Sequence, residues 1–102
     1  MITNAVCTIV RTAEDGSYFA VGIYPCMWQE TEAYEVKKYG EERADRAAVY
    51  IPDIGADVLK GDYIARDGIS DDIDVSSMLT VSSVTRHDYG SADMQHIRVG
   101  AR

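Results

Sequence analysis

The stretch "LTVSSVTRHDYGSADMQHIRVGAR", residues 79–102, decides the fold. Near its end the residues alternate, with Gln95, Ile97 and Val99 set against Met94, His96 and Arg98. That is the pattern of a strand with two different faces. Residues 79–88 read as a second strand, and "DYGSAD" supplies the turn signal between the two. His96 falls in the middle of the terminal strand, where it is catalytic, a ligand or merely exposed.

The rest of the chain repeats this signal. Ile and Val outnumber Leu by 19 to 2, and there are seven tyrosines. β-branched and aromatic residues suit a pleated, half-buried surface, whereas a helical core would be rich in Leu. The predicted strands are 5–11, 17–24, 26–39, 44–51, 62–66, 79–88 and 94–100. "AEDGS" links the first two, "YGEER" reads as a hairpin turn, and "PDIGADVLKGD" follows Ile51. The expected fold is mainly β, a small single-domain barrel or sandwich with long polar loops over residues 1–102. Two places resist. "EERADRAAVY" has good helix formers and allows one short helical turn, and "RDGISDDIDVSSM", residues 66–78, reads as a mobile polar loop.

Composition excludes several function classes. The 102 residues carry 17 Asp plus Glu against 10 Lys plus Arg, a net charge of −7. Such a chain has no electrostatic footprint for gripping phosphates, so no specific nucleic-acid binding is expected, and it should avoid anionic membranes. The first ten residues hold no Lys or Arg, and the longest apolar run is "AAVYI", so neither a signal peptide nor a membrane helix is expected. The default location is the cytoplasm. Cys7 and Cys26 have no close-spaced partner and read as small hydrophobes.

The candidate chemistry is thin. His87 and Asp88 are neighbours, and His96 can approach them across the hairpin turn, but adjacent strand residues point to opposite faces. Neither "GxSxG" nor "HExxH" occurs, and two histidines without a supporting cluster argue weakly for zinc. Asp71, Asp72 and Asp74 cluster in "SDDID" without the Gly and distant Glu of an EF-hand loop, so no calcium site is expected. No catalytic residue, cofactor or metal is expected, and the chain does not read as an enzyme. Trp28, the one Trp, reads as a core or interface anchor.

The order of the pieces carries a resemblance. "PCMWQE", a charged hairpin, "AAVYIP", "LKGDYIA" and the final hairpin follow one another. This is similar to the small neck proteins of tailed bacteriophages and prophages, in particular head-closure, or stopper, proteins and their minor-capsid relatives. The matching residues are Trp28, Val49, Ile51, Pro52, Gly61, Asp62, His96 and Val99, and Ile97 departs from the pattern, where an aromatic often follows the histidine. The resemblance covers residues 24–102 and implies a structural virion protein at the head–tail joint. It would self-associate into a ring below the portal, with portal or adaptor and tail proteins as partners. Its location would be the virion neck, and the host cytoplasm during assembly. Candidate interface residues are Trp28, Glu41, Glu42, Arg43, Asp71, Asp72, Asp74, His96 and Arg98. His96 then reads as a polar tooth on the outer face of the terminal strand. The rival readings are a small bacterial ligand-binding β module, marked by a pocket lined by Trp28 and tyrosines, then a tail-completion protein or an enzyme.

Overall fold

The computed structural model describes residues 2–30, 45–68 and 73–102. Six strands form: β1 (Ala5–Thr12), β2 (Tyr18–Glu30), β3 (Ala47–Ile51), β4 (Tyr63–Arg66), β5 (Leu79–His87) and β6 (His96–Ala101). They close into a barrel in the order β1-β2-β3-β6-β5-β4, and β4 pairs back onto β1. All neighbours are antiparallel. Of the two expected architectures, the barrel is the one formed.

The terminal strand behaves as its alternation requires. β6 lies between β3 and β5, with Ile97 and Val99 fully buried and His96 and Arg98 half-buried on the other face. The buried cluster takes one face of each strand: Cys7 and Ile9, Cys26 and Trp28, Val49 and Ile51, Ile64, Val81, Ile97 and Val99. These are mostly β-branched side chains, the type that packs well on a pleated surface.

Two predicted strands, 17–24 and 26–39, meet in one. β2 runs through Pro25 without interruption. Cys26 accepts a hydrogen bond from Asn4 N–H, so its backbone groups face β1, and those of Pro25 face the opposite side. On that side β3 pairs only from Met27 onward. Continuing the register would set Pro25 against Pro52, two residues without a backbone N–H, so the ladder stops where neither proline is asked to donate. Residues 31–39, and the "YGEER" turn, lie outside the described residues.

No helical turn occurs in the described part of the 41–50 stretch. Residues 41–44 lie outside the described residues and 47–50 are strand. A 3₁₀ turn occurs instead at Val75–Ser77, within the stretch read as a loop, and Asp74 caps it by accepting from Ser76 N–H. Residues 69–72 of that stretch lie outside the described residues, and Arg66 at its start is the last residue of β4.

The connection 52–62 is built rather than loose. Ala56 and Val58 are buried in the core. Arg86 donates to the carbonyls of Ile54 and Ala56, and Asp57 N–H donates to the Tyr24 hydroxyl. At its end Gly61 adopts φ +96°, a region open to glycine, and donates to Val81 O. The turn delivers Asp62 into the barrel wall, where its carboxylate accepts from Leu59 N–H and from Arg11.

Candidate functional site

The β5–β6 hairpin brings the two histidines together. His87 and His96 are direct cross-strand partners, and their rings stack with centroids 4.6 Å apart and 29° between planes. Tyr50 of β3 flanks His96 at 5.9 Å, and Tyr89 flanks His87 at 6.0 Å. His96 Nδ1 lies 3.0 Å from Met94 O, and His87 Nδ1 lies 3.3 Å from the Tyr89 hydroxyl. Asp88 is exposed and makes no hydrogen bond or ion pair with another described residue, so no His–Asp dyad forms.

A cavity of about 500 Å³ opens at the other end of the hairpin strands. Its described lining includes Trp28 and Glu30 of β2, Ile64 and Arg66 of β4, Asp74 and Leu79. Trp28 is 7% exposed and its indole N–H is buried with no hydrogen-bond partner. No tyrosine belongs to the described lining, so only half of the pocket expected for a ligand-binding module is present.

The outer wall of β1 and β2 carries an exposed apolar stripe. Ile23, Pro25 and Met27 are alternate residues of β2 and all face solvent, Ile23 at 61% exposure. Val6, also exposed, pairs with Pro25, and Tyr50 pairs with Met27. An apolar row of this kind on an acidic protein is a candidate contact surface.

Two further groups have structural roles. Arg11 joins Asp62 through Nε–Oδ1 at 3.0 Å and Nη2–Oδ2 at 2.8 Å, and also reaches Asp57 at 3.0 Å. The hydrogen bond from Arg11 holds the Asp57 carboxyl below the usual carboxylate range. Cys7 and Cys26 are free and fully buried. Burial first, and then the neighbouring Cys26, pushes the Cys7 thiol up to about 12, and burial raises Cys26 as well. Their register, Ala5 with Cys26 and Cys7 with Tyr24, makes them diagonal neighbours, and their two thiols meet in a side-chain hydrogen bond.

The residues expected to form an interface divide. Trp28 takes the core role, one of the two its sequence allowed, in the same buried cluster as Cys26 and Ile64. Asp74 is exposed and serves as the cap of the 3₁₀ turn, and it also borders the cavity. His96 and Arg98 share the outer face of β6, which offers side chains but no strand edge, since both its edges are paired. Glu41, Glu42, Arg43, Asp71 and Asp72 lie outside the described residues. Sequence reasoning missed the stripe, although Ile23 and Met27 stand two places either side of a proline in an alternating segment. It also missed the Arg11–Asp62 pair, whose partners are 51 residues apart and carry no local signal.

Among the described residues no group of three or more His, Cys, Asp or Glu side chains could hold a metal ion, and no helix is long and apolar enough to cross a membrane. No curated protein and no solved structure matches the chain. One family does, over residues 2–102: the chain belongs to DUF6751, a family of unknown function.

Proposed function

We propose that this protein is a structural component of the neck of a tailed bacteriophage or prophage, a head-closure protein that joins neighbours of its own kind in a ring between portal and tail. The observation that carries this reading is the exposed stripe of Val6, Ile23, Pro25 and Met27 on the outer wall of the barrel. Subunits with a net charge of −7 repel one another, so a ring of them needs apolar contact to close. A closed ring is heterologous, one patch meeting a different patch on the next copy. In this reading the partners are the portal or adaptor ring above and tail proteins below, the site of action is the virion neck, and the protein is no enzyme. The residues of the resemblance support the scaffold more than the contact surface: Trp28, Val49, Ile51 and Val99 are core, Pro52 follows β3, and Gly61 and Asp62 form the turn before β4.

The test is complementation of a strain deleted for the gene with Ile23→Asp. A charge on the stripe should leave the barrel folded and abolish joining of heads to tails. Full titres from that strain would remove the stripe from the account.

A second reading, a ligand-binding barrel, is favoured by the unpartnered indole N–H of Trp28 beside the cavity. A buried donor without an acceptor costs about 1–3 kcal/mol, which an acceptor on a bound molecule would relieve. As the sole Trp, Trp28 would report such a ligand by its fluorescence.

A further inference from the structure

The stacked pair His87 and His96 has a chemistry that the neck reading does not use. We propose that these two side chains chelate one divalent transition-metal ion of the kind that prefers imidazole, such as Cu²⁺, Ni²⁺ or Zn²⁺, on the outer face of the β5–β6 hairpin.

The argument starts from the tautomer of His96. Its Nδ1 lies 3.0 Å from the carbonyl oxygen of Met94. A carbonyl oxygen only accepts, so Nδ1 carries a proton, and in the neutral ring Nε2 keeps its lone pair. A ring N–H held by a backbone carbonyl is also the arrangement that orients ligating histidines in metal sites. His87 Nδ1 faces the Tyr89 hydroxyl at 3.3 Å, a group able to donate or accept, so His87 can present Nε2 in the same state. Neither Nε2 has a hydrogen-bond partner among the described residues.

Placement supplies the second part. His87 and His96 are opposite one another in register, and cross-strand partners hold their Cβ atoms roughly 4.5–5.5 Å apart. Two imidazoles on such a base can close on one ion at about 2.0–2.1 Å per bond. The stacked rings, 29° from parallel, must turn until their Nε2 atoms converge. Both side chains lie on the outer face and not in the core, so the turn displaces no packed core. Water fills the remaining coordination positions. Arg98, two residues along the same face, opposes a cation and keeps the affinity moderate.

Imidazole ligation sets the expected order, with Cu²⁺ bound more tightly than Ni²⁺ or Zn²⁺, and Ca²⁺ not bound at the pair. The experiment is calorimetric titration of the full chain, freed of any histidine tag, with each of these ions alone. One Cu²⁺ per chain at micromolar affinity is expected. His87→Gln and His96→Gln should each weaken binding by about tenfold or more, because a chelate needs both rings. In the unaltered protein, substoichiometric Cu²⁺ should broaden the imidazole proton signals of both histidines together. That readout does not depend on how the variants fold. No saturable binding of the three transition ions, Ca²⁺ bound as tightly as Cu²⁺, or full affinity retained by either variant would overturn the chelate.

Discussion

Arg11 and Asp62 stand 51 residues apart and meet in a two-pronged ion pair, with the Asp62 side chain only 6% exposed. The same carboxylate accepts from Leu59 N–H, and the Asp62 carbonyl accepts from Val81 N–H. One residue therefore ties β1, the 52–62 connection and β5 together. The hydrogen bonds that Arg11 donates to Asp62 and Asp57 push its guanidinium up, so its charge is constant at any working pH.

Asp62→Ala should destabilise the fold by about 3–5 kcal/mol, the usual cost of removing one partner from a buried pair. Urea denaturation measures it. A loss under about 1 kcal/mol would show that the connection holds without this carboxylate. Asp57→Ala, on an exposed carboxylate, should cost far less.

The buried thiols predict a pH dependence. Burial, and then the neighbouring Cys26, pushes the Cys7 thiol from its ordinary 9.0 up to about 12, so the fold prefers the neutral thiol. Stability from this group is fully present below pH 9 and is lost as pH rises from there through about 12. Cys7→Ala should flatten that decline in the urea midpoint, whereas equal slopes for both proteins would contradict it. The native thiols should also resist a disulfide reagent until the chain unfolds.

Gly100 lies buried on β6, facing the Asp45 carboxylate. A Cβ there would come within 2.5 Å of Asp45 Oδ2 and 2.6 Å of Ser83 Oγ. Asp45 also accepts from the Ser82 hydroxyl at 2.6 Å, beside the irregular register between Val81 and Ser83. Gly100→Ala should cost about 1–3 kcal/mol. In an Asp45→Ala background the same change should cost measurably less, and strict additivity would remove the proposed clash.

How much of this was legible depends on the range of the signal. Alternation put Ile97 and Val99 inside and His96 and Arg98 outside, because a strand's period is local. Ile51 was readable as core by the same rule, and Ile51→Asp should cost more than about 4 kcal/mol. Pro25 misled the reading, since a proline breaks a ladder only where its nitrogen faces a partner, and the sequence does not say which side that is. Ala56 and Val58 looked like loop residues because the side chains that hold their connection, Arg86 and Arg11, arrive from distant strands. The histidine pair was within reach of the hairpin register, but its stacking was not.

The proposed role of the protein is to close the head and join it to the tail. The most direct measurement is electron microscopy, with titres, of particles from a prophage-carrying strain lacking the gene. The account predicts heads that package and then leak their DNA, beside unattached tails, with infectivity restored by the wild-type gene. Normal numbers of complete, infectious particles from the deletion strain would contradict it.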